Sequence, residues 1–220
     1  MELTKKRLFK PKLPSYHERI FIQGPSNQMA YSWLEKWPQE LENFATYLSG
    51  KSGSGKKHLS HIWAHKYNAS VLKAHEINPE NFSEYDPHVL IHIEKPVTPE
   101  CEENLFHAFN FYKAKKAYIL FTCEQTPNSL PLTLKDLKSR LATCNFIHLD
   151  EPEENTLKQL YTLSFKNKGI HVHCDVVNYL LLRLDRSFTT LHNTVNILEQ
   201  ASCNDNRSIS IPFVKSVLGL

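Results

Sequence analysis

The stretch SGKSGSGKKH, Ser49 to His58, constrains this chain more tightly than any other. The run FATYL before it is aromatic and β-branched and predicts a strand, and KKHLSHIWAHKY after it has helical spacing. A glycine-rich turn between a strand and a helix can curl its backbone amides around an anion. Glycine permits the tight path, and the helix N-terminus adds partial positive charge. The spacing G-x-x-x-x-G-K makes Gly50, Gly53, Gly55 and Lys56 candidate phosphate-binding residues. The bland alternative is a chance glycine-rich turn, and the strand-loop-helix context argues against it.

The pattern breaks at its last position, where a Ser or Thr hydroxyl ordinarily ligates Mg²⁺ and this chain has Lys57. An ammonium cannot ligate a cation, so Mg²⁺ binding is expected to be impaired. The added positive charge would still hold ADP or ATP without the metal. A second departure lies in VLIHIEKP, the apolar run expected to deliver catalytic carboxylates. It offers Glu94 and then Lys95, one acid beside a cation where hydrolysing sites often have two. Both departures predict slow or absent hydrolysis.

Around this loop, SVLKA, HVLIHIE, KAYILFT and NFIHL read as further strands, alternating with helical ECEENLFHAFNFYKA and LKDLKSRLA. Such alternation predicts an α/β fold, a parallel sheet flanked by helices on both faces. From residue 151 the apolar spacing becomes helical throughout, which predicts a small all-helical lobe over 151–220 after an α/β domain over 16–150 and a basic tail over 1–15. Ser26 or Asn27 is the expected N-cap of a helix over QMAYSWLEKW. Ser187 is expected to cap the third helix of the last lobe, and Gly169 to follow the end of its first.

Composition adds exclusions. A net charge of +3 is far short of what a surface built to neutralise many phosphates requires. The five cysteines have no paired spacing, which suits reduced thiols in a cytoplasmic protein. No apolar run approaches the ~18 residues of a membrane span, and the basic N-terminus lacks the apolar stretch of a signal peptide. His58, His61 and His65 share a helix face, but no further ligand at matching spacing makes them a metal site.

Taken together, FIQGPSNQMAYSWLEKWP, SGKSGSGKKHLSHIWA, VLIHIEKP, ENLFHAFN, ILFTCEQTP and DLKSRL resemble the AAA+ region of the DnaA family of bacterial replication initiators, and within it the short Hda-type homologues. The resemblance spans about residues 18 to 218 and implies a P-loop AAA+ sheet domain followed by a helical lid. It implies that Phe21 to Asn27 border an adenine pocket, that the whole run Gly50 to His58, with Lys51, Ser52, Ser54, Lys57 and His58, holds phosphates, that Glu94 is the acid of the second nucleotide motif and that Thr122 to Glu124 form the first sensor. Arg140 matches the family's arginine that reaches a neighbouring subunit's nucleotide; the alternative is a surface arginine in a salt bridge.

The departures are equally specific. The second-sensor arginine is replaced by Thr189, and the chain ends with the lid, so sequence-specific DNA binding is not expected. Hda-type proteins dock on the DNA sliding clamp through an N-terminal peptide, of which Leu8 and Phe9 remain and the glutamine does not. The resemblance implies a regulator of chromosomal replication initiation that acts by contact with DnaA, and with the clamp if Leu8 and Phe9 suffice; self-association stays open. The rival readings are a self-contained ATPase akin to helicase loaders and a nucleotide-free assembly adaptor.

Overall fold

A computed structural model describes residues 21–39 and 43–220. Five parallel strands form one sheet among these residues, in the order β2-β3-β4-β1-β5. They are β1 Ala45–Ser49, β2 Ala69–Lys73, β3 His88–His92, β4 Ile119–Cys123 and β5 Asn145–His148. Every residue of β1 and β4 is buried, as expected of central parallel strands covered on both faces.

Within those continuous apolar runs the two-residue period still sorts side chains. Tyr47, Val89, Ile91, Ile119 and Phe121 enter one core with α3 (Pro99–Ala114) and α4 (Lys135–Ala142). Leu48, Leu90 and Leu120 enter the other with α1 (Pro25–Lys36) and α2 (Lys56–Lys66). Trp37 and Trp63 stack in that second core with ring centroids 5.0 Å apart. Cys101, Cys123 and Cys144 are buried and unpaired, Cys174 and Cys203 exposed.

The C-terminal lobe has its own core. Phe165 of α5 (Glu154–Asn167), Leu180 of α6 (Cys174–Arg183), Leu198 of α7 (Phe188–Asp205) and Val214 of α8 (Ile211–Leu218) are each fully covered. Ser187 caps α7, its hydroxyl accepting from the Thr190 amide at 3.0 Å, and Gly169 follows α5 with φ +73°. One expectation is corrected. Helix α1 starts at Pro25 with Gly24 as its cap, because Asn27 reaches back from the third helical position to accept from the Gly24 amide at 2.9 Å. His173, in extended conformation, caps α6, its ring accepting from the Asp175 amide.

One contact fixes α4, the helix that carries Arg140. Leu134 at its cap position offers no side-chain acceptor. Instead Glu102 of α3, 1% exposed, accepts from the amides of Thr133 and Leu134 and from the Thr133 hydroxyl. A carboxylate from a neighbouring helix thus satisfies the orphan donors at the start of α4 and complements its dipole. Glu102→Ala would leave those donors unsatisfied, and chemical denaturation is expected to show a loss of about 2–3 kcal/mol.

Candidate functional site

The carboxyl ends of β1, β3 and β4 open into a cleft of about 920 Å³. Ligand sites of open parallel sheets lie at this edge, where the strand ends and helix N-termini converge. From β1 come Ser52, Gly53, Gly55, Lys56, Lys57 and His58; from β3, His92, Glu94 and Lys95; from β4, Thr122 to Gln125. Phe21 and Ile22 close one side, and Phe188, Thr189 and His192 of the helical lobe close another.

The loop keeps its open bend. Gly53 and Gly55 have φ of +73° and +95°, conformations that favour glycine, and α2 begins directly after them. The first amides of α2 have no partner within the helix, so they are available to an anion. Lys56 is 9% exposed and its ammonium donates to the carbonyls of Gly50 and, at 2.7 Å, Lys51. Burial lowers its pKa, and the charge of Glu124 offsets part of that effect. Gly50, Lys51 and Ser54 shape the turn without lining the cleft: Ser54 is buried, and Lys51 pairs with Glu151 at 2.7 Å.

The lid sits directly on this loop. The Phe188 amide donates to the Gly53 carbonyl at 2.9 Å, and a Cβ on Gly55 would meet the Phe188 ring at 2.9 Å. Its ring therefore borders the cleft without filling it. Phe21 stacks on Tyr31 and meets the His58 ring edge-on, each at 5.4 Å between centroids. Asn27 holds that approach, donating to the Ile22 carbonyl at 2.9 Å.

The expected metal position does not fit a divalent cation. The Lys57 ammonium donates to Glu94 Oε1 at 3.1 Å, and Lys73 approaches the other carboxylate oxygen at 3.8 Å. The hydrogen bond from Lys57 lowers the Glu94 pKa, and the charges of Lys57 and Lys73 add to that. Where a hydroxyl and a free carboxylate would ligate Mg²⁺, this chain places two ammonium groups on one acid.

Arg140 does not line the cleft. It lies in the last turn of α4 with its guanidinium 6.0 Å from the centre of the Phe109 ring, and no carboxylate pairs with it among the described residues. Leu8 and Phe9 fall outside the described residues.

His92 was not among the residues expected here. It ends β3, is 6% exposed, and its Nδ1 lies 2.6 Å from the Thr122 hydroxyl. Its Nε2 has no hydrogen-bond partner among the described residues. A lone imidazole inside VLIHIE was the available signal, but its partner lies on another strand. The His61 ring packs 5.3 Å away. Burial first, then His61 and Lys57, pushes His92 down to about 4; burial, Lys57 and His58 do the same to His61.

A parallel sheet of this order, a glycine bend after an interior strand and a helical lobe over the cleft make up an AAA+-type fold. Residues 153–218 match the family described as Hda, lid domain. The crystal structure of domain III of the Thermotoga maritima replication initiation protein DnaA aligns with a TM-score of 0.80 at 18% identity, covering 94% of this chain and 96% of that one. AMPPCP-bound DnaA from Aquifex aeolicus aligns with a TM-score of 0.69 at 18% identity, covering 84% of this chain and 65% of that one. An uncharacterized protein of Haemophilus influenzae is 27% identical over 210 residues, 90% of this chain and 91% of the relative. Residues 153–218 thus resemble that lid, and the chain as a whole shares the fold of DnaA domain III. Among the described residues no helix is long and apolar enough to cross a membrane.

The buried imidazoles have a pH consequence. Unfolded histidines titrate near 6.5, so between that value and about 4 the unfolded chain binds more protons than the folded one. Stability is therefore complete above pH 6.5 and falls as the pH drops toward 4, by on the order of a few kcal/mol. Thermal melts across that window are expected to show the fall, and His92→Gln a shallower one.

Proposed function

We propose that this protein regulates the initiation of bacterial chromosomal replication by contact with DnaA, offering Arg140 to nucleotide bound by DnaA while its own site hydrolyses little. The observation that carries this reading is the division of labour between the two places. Glu94, the acid at the protein's own cleft, is neutralised by Lys57 and Lys73, whereas Arg140 stands outside that cleft with no carboxylate partner among the described residues. An arginine supplied across an interface stabilises developing phosphoryl charge. Glu102 holds the start of the helix that presents it. The AMPPCP-bound DnaA of the same fold supports reading the cleft as an adenine-nucleotide site, and the aromatic wall of Phe21 and His58 suits a base. Docking to the sliding clamp through Leu8 and Phe9 and a cytoplasmic location belong to the same proposal.

Adding the protein to ATP-loaded DnaA is expected to accelerate hydrolysis. Arg140→Ala is expected to remove the acceleration, on the order of 10³-fold where an arginine acts in trans. An Arg140→Ala protein as active as wild type would contradict the role. Lys56→Ala is expected to weaken nucleotide retention by the protein itself, read as nucleotide released from the purified chain.

A second reading, a nucleotide-free adaptor, draws on the Phe188 ring seated against Gly55 and the lid amide bonded to Gly53. The nucleotide content of the protein as purified separates the two.

A further inference from the structure

We infer that the cleft selects nucleoside polyphosphates free of metal over their Mg²⁺ complexes, with the Lys57 ammonium standing where the divalent cation would be. This rests on reading the cleft as a nucleotide site, and it narrows the ligand to a chemical form. Three lysines, Lys56, Lys57 and Lys95, border the cleft against Glu94 and Glu124, and Lys73 stands behind Glu94. Lys57 and Glu94 are 60% and 38% exposed in their side chains, and such a pair is held by at most about 1 kcal/mol. An entering polyphosphate can therefore draw the Lys57 ammonium onto its own oxygens at little cost. His92, nine-tenths buried at the cleft, brings an Nε2 with no partner among the described residues.

The Mg²⁺ complex meets the opposite situation. It carries less negative charge to the lysines, and its cation comes close to Lys57 with no hydroxyl to ligate it. Glu94, the carboxylate that would hold it, already faces two ammonium groups. The bare anion gains the cations that the complex would be repelled by.

Calorimetric titration of the full chain with ADP, once in EDTA and once in excess MgCl₂ at matched ionic strength, tests this. The expected dissociation constant is at least about tenfold lower in EDTA. Lys57→Thr, which restores the hydroxyl and frees Glu94 Oε1 while Lys73 stays near Oε2, is expected to reverse that order; because the side chain is largely exposed, the variant is expected to fold, and its melting curve verifies it. Equal or tighter binding with Mg²⁺ to the wild-type protein would overturn the inference and leave the nucleotide site standing. A Lys57→Thr variant that still prefers EDTA would overturn the role given to Lys57. Absence of binding in both buffers would overturn the inference together with the nucleotide reading.

Discussion

Everything at the cleft depends on where the chain turns after β1. That strand lies between β4 and β5, fully covered on both faces, so its carboxyl end emerges at the middle of the sheet edge. Gly53 and Gly55 let the backbone reverse there without strain, and α2 starts with its amides facing the same space that β3 and β4 open onto. A residue with a Cβ at either position would strain a left-handed backbone and press on the lid. The rest of the site, its lysines included, is placed relative to that turn.

Charge then decides what the turn can hold. In a hydrolysing site the divalent cation supplies positive charge and the carboxylates position it. Here the positive charge is covalently part of the chain, on Lys57 of α2 and Lys73 of β2, and both converge on Glu94 from different elements. The carboxylate that would position a cation is thereby occupied by the chain's own lysines. Arg140 lies at the end of a different helix, anchored through Glu102, which is the arrangement a chain needs if its chemistry is to be spent on a neighbour.

Much of the fold was legible because its signals are local. Runs such as YILFT and VLIHI are mostly apolar over consecutive residues, as strands covered on both faces are, and the lid helices repeat apolar residues at helical spacing. Ser187 and Gly169 fall where their chemistry predicts. The loop could be read because glycine spacing encodes backbone conformation directly. The site was legible only in part, since its decisive contacts join distant residues. Lys57 and Glu94 looked like two separate defects, yet the fold makes them one ion pair. His92 gains meaning only from the register that sets β3 beside β4 and brings Thr122 opposite it. The seat of Phe188 on Gly55 and the hold of Glu102 on α4 depend on how whole elements pack, which no window of sequence encodes.

The bond from the Phe188 amide to the Gly53 carbonyl has a mechanical meaning. It ties the helical lobe to the glycine loop by main chain, and the Phe188 ring seated on Gly55 adds a side-chain contact at the same place. The start of α7 therefore forms part of the cleft wall, so the shape of the cavity is set by the lid as well as by the sheet domain.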